Sequence, residues 1–110
     1  MGMVTAYKQF AIFLANLDPT LGSEIKKTRP CVIISPDEMN KYLNTVIIAP
    51  LTSVARMYPT RVSCIFDNKK GQIALDQMRT VDKTRLVKII GEVKNLESSM
   101  IKKTLIEMFS

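Results

Sequence analysis

Read from its N-terminus, the chain sets short, nearly unbroken apolar runs between clusters of Pro, Asn, Asp and Lys, and changes period only near its end. Residues 10–17 (FAIFLANL) are almost continuously apolar, and residues 31–35 (CVIIS) and 45–49 (TVIIA) are rich in β-branched side chains, which predicts buried strands. Residues 60–66 (TRVSCIF) and 72–77 (QIALDQ) flank a polar five-residue connection, DNKKG at 67–71, and read as a hairpin. Residues 86–93 (LVKIIGEV) predict a further strand, and residues 37–43, entered through Pro36, one or two helical turns.

The last segment has a helical period. Ile101, Leu105, Met108 and Phe109 share one side of a wheel over residues 96–109, with Ser99, Lys103 and Glu107 on the other, and Asn95 is the expected N-cap. Several strands, short connections and one terminal helix predict a mainly β domain with some α. Its expected form is a small, strongly bent sheet or partly open barrel with an amphipathic helix packed at one end. A chain of 110 residues suits one core, so residues 1–110 are read as a single domain.

Composition narrows the setting. No apolar stretch approaches the roughly 18–20 residues of a membrane span, and the opening MGMVTAYKQ lacks the basic-then-apolar order of a secretion signal, so a cytoplasmic location is expected. Cys31 and Cys64 lie in apolar runs and read as buried, reduced thiols. The net charge is +6, and residues 51–90 hold eight Lys and Arg against three Asp. That clustering fits an anionic partner such as nucleic acid, or equally a basic surface kept for solubility.

The available chemistry is restricted. With no His and two separated Cys, the chain lacks the ligands of a zinc site and the usual proton carrier near neutral pH. The patterns GxxxxGK[ST], GxGxxG and GxSxG are absent. What remains is carboxylate, hydroxyl and guanidinium chemistry. A long polar connection over residues 18–30 ends in Arg29, which Pro30 steers toward an extended conformation. KKTRP (26–30), PLTS (50–53) and LDQMRT (75–80) each put Arg, Asp or hydroxyl groups where a strand ends. If those ends converge, the groups face one anionic ligand.

At LDPTLGSEIKKTRPCVIIS (17–35), NTVIIAPLTS (44–53), YPTRV (58–62) and GQIALDQMRTVDKTRL (71–86) the chain resembles the MazF/PemK family, toxin subunits of bacterial toxin–antitoxin modules. The resemblance implies an SH3-like, CcdB/MazF-type bent barrel and a homodimer neutralised by a cognate antitoxin. It implies a sequence-specific endoribonuclease that cuts single-stranded RNA, including mRNA, without a metal or other cofactor. Arg29 matches the family's catalytic Arg and Thr52 its catalytic Thr. The reaction would be attack of a ribose 2′-OH on the adjacent phosphorus, giving a 2′,3′-cyclic phosphate and a 5′-OH. Arg29 suits stabilisation of the charge that develops, because a guanidinium, whose pKa exceeds about 12, is a poor acid.

Asp76 matches an acid used as general base in the PemK-like branch, and Arg79 is expected to bind phosphate. Lys26, Lys27, Ser53, Arg56 and Gln77 complete the expected RNA contacts. Two departures stand out: Ala74 replaces an Arg proposed as the acid in that branch, and Gln9-Phe10-Ala11 replaces the usual Gly and acid before the first strand. Structural readings compete with these roles. Arg29 could anchor the loop by pairing with Glu24 or Asp18, Thr52 could cap a turn, and Asp76 could be a hydrogen-bond acceptor paired with Arg79. Tyr42 and Tyr58 read as packing residues, and Lys69 and Lys70 as solvated turn residues. Outside nuclease chemistry, the same fold could serve a CcdB-like inhibitor of a topoisomerase or an inactive RNA-binding module.

Overall fold

The apolar runs become strands of one curled antiparallel sheet, seen in a computed structural model that describes residues 6–17 and 27–110. The strands are β1 (Ala11–Asn16), β2 (Thr28–Ile33), β3 (Thr45–Thr52), β4 (Arg61–Phe66), β5 (Lys69–Ala74), β6 (Arg79–Asp82) and β7 (Leu86–Glu92). Their order is β4-β5-β3-β2-β1-β7, with β6 also on β3. Helix α1 (Asp37–Tyr42) follows β2, and α2 (Asn95–Met108) ends the fold.

Alternation along the strands gives the sheet two apolar faces. One gathers Ile12, Val32, Ala49, Val62, Cys64, Ile73 and Leu75 under Ile101, Leu105 and Met108 of α2. The other holds Phe13, Ala15, Cys31, Ile33, Val46, Ile48 and Val81. The sheet curls until its ends meet. A Cβ on Gly91 of β7 would stand 3.2 Å from the ring of Phe66 in β4, so glycine admits the ring there. Ile101 of α2 is buried, whereas Phe109, expected on the packed side, caps the end of the helix and is 74% exposed. The helix begins after Lys94 rather than after the expected cap Asn95, and Glu97 accepts the Lys94 N–H at 3.2 Å.

The backbone departs from the sequence reading at four places. The hairpin turn is two residues, not five: Asp67 and Asn68 take φ of 54° and 59°, and Lys69, Lys70 and Gly71 already belong to β5. Two consecutive left-handed residues match the twist of the flanking strands. β5 ends at Ala74, so residues 75–77 form a single 3₁₀ turn. β6 was not expected, because RTVD offers one apolar side chain, Val81, to an apolar face. β2 starts at Thr28, which puts Arg29 on a strand opposite Ala15 rather than at the end of a loop.

Phe10 accounts for the departure from glycine before β1. It holds φ of 71°, a conformation that glycine adopts without strain. Its N–H donates to Ile33 at 2.6 Å and its carbonyl accepts from Val93 at 2.9 Å, while the ring packs on the core beneath α2. Burial and two backbone bonds offset the strained torsion.

Candidate active site

Two prolines set the position of Arg29 and Thr52. The β2–β3 ladder runs from Ile33 opposite Ile48 to Cys31 opposite Pro50 and stops there. Pro30 and Pro50 stand at that end, and neither has an N–H to continue the ladder. β3 then turns to β5, pairing Leu51 with Ile73 and Thr52 with Gln72. Arg29 and Thr52 each lie two residues beyond the last β2–β3 pair, on strands that part company.

Arg29 alternates onto the face of Cys31, and Arg79, at the start of β6, onto the face of Val81; both faces belong to the same apolar cluster. Each guanidinium acts electrostatically on the Cys31 thiol, which burial nevertheless pushes up to about 11. Both arginines are exposed, and among the described residues neither side chain makes a hydrogen bond or ion pair. Two cations thus act on one patch, the surroundings of the Cys31 thiol. Thr52 is half-buried, and its Oγ1 accepts the Val54 N–H at 3.1 Å, leaving the hydroxyl proton available. Beside it, a cavity of about 330 Å³ is lined by Pro30, Thr52, Ser53, Phe66 and Lys70, among others.

Asp76 is differently placed. Arg61 grips its carboxylate, Nε to Oδ1 at 2.7 Å and Nη2 to Oδ2 at 3.3 Å, and the Thr60 hydroxyl donates to Oδ1 at 3.0 Å. The Arg61 hydrogen bonds, followed by that of Thr60, hold the carboxyl below its usual range. Asp76 is therefore not paired with Arg79. Arg61 is in turn only 6% exposed along its side chain and lies 5.2 Å over the Tyr58 ring. Tyr42, by contrast, is 78% exposed and does not pack.

Of the other expected contacts, Lys27, Ser53, Arg56 and Gln77 are exposed, whereas Lys26, with Asp18 and Glu24, lies outside the described residues. Ser53 and Arg56 follow Thr52 in one loop, whose backbone at Arg56 is held by the Gln72 side chain. Sequence reasoning missed Thr60, Arg61 and Gln72. The pair Arg61 and Asp76 is set by the β4–β5 register, in which Arg61 faces Ala74, and no sequence spacing announces it.

A family model described as PemK-like, MazF-like toxin of type II toxin–antitoxin system matches residues 8–109. The chain belongs to this toxin family. Two Staphylococcus proteins named endoribonuclease MazF are similar to it. That of S. saprophyticus is 42% identical over 81 residues, 68% of each chain, and that of S. epidermidis 39% identical over 97 residues, 78% of this chain and 79% of the other. In fold, the chain resembles the crystal structure of MazF from Deinococcus radiodurans, with a TM-score of 0.75 at 22% identity over 93% of this chain and 94% of that one. It also resembles a mycobacterial endoribonuclease in complex with its cognate antitoxin, with a TM-score of 0.76 at 22% identity over 93% of each chain. These MazF-type structures share its curled sheet and C-terminal helix. No helix among the described residues is long and apolar enough to cross a membrane.

Proposed function

We propose that this toxin is a sequence-specific, metal-independent endoribonuclease that cuts single-stranded RNA, including mRNA, and so arrests translation. The observation that carries the reading is the pair of exposed guanidinium groups of Arg29 and Arg79, which act on one patch and have no hydrogen bond or ion pair among the described residues, with Thr52 just past the end of the β2–β3 ladder. Family membership and the activity named for its staphylococcal relatives support it.

The 2′-OH attacks the adjacent phosphorus as the bond from phosphorus to the 5′-oxygen breaks; the 2′-OH gives its proton to water and the 5′-oxygen takes one up from water, producing a 2′,3′-cyclic phosphate and a 5′-OH. Charge accumulates on the phosphoryl oxygens in the transition state, and Arg29 holds it with a planar, permanently charged donor set. Thr52 donates its free hydroxyl proton to the same group, and Arg79 binds phosphate of the strand. Lys26, Lys27, Ser53, Arg56 and Gln77 are assigned to the RNA path. Asp76 is assigned a positioning role, since a carboxylate held below its usual range is a weak base. It fixes the turn that leads from β5 to Arg79.

The cognate antitoxin is the second partner, as antitoxin complexes of related folds suggest. Its charge would complement the face that binds RNA. The proposed homodimer draws on exposed apolar residues of β7, α2 and the end just past α2, notably Val87, Ile89, Ile106 and Phe109. An mRNA substrate puts the toxin in the cytoplasm. A short RNA with one cut site, compared with the same RNA bearing a single 2′-deoxyribose at that site, tests the chemistry. Cleavage is expected to stop with the deoxy substrate, and equal cleavage of both would overturn internal attack.

A further inference from the structure

We propose that Gln72 is a positioning residue for Thr52, acting through the loop that follows β3; this rests on the ribonuclease reading above. Gln72 stands opposite Thr52 in the β3–β5 register. Its side-chain amide extends that pairing beyond the end of β3. Oε1 accepts the Arg56 N–H and Nε2 donates to the Arg56 carbonyl, each at 3.0 Å, so one side chain closes a reciprocal pair such as two strands would make. Among the described residues, no other hydrogen bond ties residues 53–57 to β5.

Within the closed loop, Val54 gives its N–H to Thr52 Oγ1 at 3.1 Å. That bond occupies one side of the hydroxyl oxygen, fixes its rotamer and turns its proton toward an outside acceptor. Gly71, next to Gln72, completes the seat: a Cβ there would stand 3.1 Å from the Thr52 carbonyl oxygen, so β5 packs directly against the Thr52 backbone. Gly71 thus seats the Thr52 backbone, and Gln72 holds its hydroxyl through Arg56 and Val54. A reactive hydroxyl on a strand end would otherwise sample several rotamers, and the fraction correctly placed would fall.

The test is steady-state cleavage of a short single-site RNA by wild type, Gln72→Met, Gln72→Glu, Thr52→Val and the Gln72→Met/Thr52→Val double variant. Met keeps the length and removes both hydrogen bonds, while Glu keeps the acceptor for the Arg56 N–H. Gln72→Met is expected to lower kcat about tenfold with KM within about twofold, because the loss falls on the transition state. Gln72→Glu should fall between it and wild type. In the Thr52→Val background, Gln72→Met should cost less than about twofold more, as for residues that act as a unit. Unchanged kcat in Gln72→Met, or the full loss repeated on Thr52→Val, overturns the positioning role while leaving the nuclease in place. Wild-type protein that does not cut overturns the ribonuclease reading and this inference together, and Thr52→Val that cuts as well as wild type overturns this inference while leaving the nuclease in place. If Gln72→Met unfolds, Gln72→Glu and the amide resonances of Val54 and Arg56 decide: a shift of both supports the linkage, and no shift refutes it.

Discussion

Arg61 and Arg79 each begin a strand, yet they sit in opposite electrostatic surroundings. Arg61 is buried along its length, gripped by Asp76 and stacked on Tyr58. Arg79, like Arg29, is exposed, and neither side chain has a hydrogen bond or ion pair among the described residues. A folded domain satisfies the cations that it needs for its own architecture. Two exposed cations that act on one patch are what an outside anion would engage. The Arg61 cluster holds the β4–β5 end in shape, and the Arg29 face is the one proposed to do chemistry.

That contrast orders the expected effects. Arg29→Ala is expected to lower kcat by roughly 10²–10³-fold or more with thermal unfolding unchanged, because it removes transition-state charge stabilisation at a surface position. A matching fall in unfolding temperature would make Arg29 a structural residue like Arg61. Arg79→Ala should weaken RNA binding similarly across sequences and reduce the salt slope of log affinity by about 0.7, the single-strand value for one phosphate contact. Titrations at several salt concentrations read this directly, and an unchanged slope would remove Arg79 from the RNA path.

Arg61→Ala should act on stability instead, by about 1 kcal/mol in denaturant unfolding, since it removes a bidentate pair to an exposed carboxylate and uncovers Tyr58. Activity per folded molecule should fall far less than in Arg29→Ala. The smallest effect concerns acid. Because the folded state holds Asp76 below the ordinary value of about 3.9, the unfolded chain binds the proton first as pH falls. The contribution of the pair is complete above that value and is lost as pH drops through the lower folded one. Asp76→Asn should flatten the stability profile in this window. An unchanged profile would mean that the carboxylate gains nothing from Arg61.

How far the sequence revealed these features follows from range. β1, β3 and β7 were legible because long apolar or β-branched runs need no partner to be recognised, and KKTRP and PLTS marked Arg29 and Thr52 through local chemistry. β6 was not, since four residues with one apolar side chain gain strand form only from pairing with β3. Nor was the grip of Arg61 on Asp76, fifteen residues away, or that of Gln72 on Arg56, sixteen away, because both depend on the register of β5. The two-residue turn was hidden by Lys69, Lys70 and Gly71, which look like loop yet pair with Phe66, Ile65 and Cys64. Local chemistry disclosed the candidate phosphate-binding face, and only tertiary pairing disclosed what holds it.

The central claim is tested most directly by incubating the purified protein and its Arg29→Ala variant with a long single-stranded RNA in EDTA, then mapping cut sites and end groups. Cuts at one short motif, ending in 2′,3′-cyclic phosphate and 5′-OH and absent with the variant, are the predicted result. Well-folded wild-type protein that leaves the RNA intact, or a variant that cuts equally well, would contradict the account.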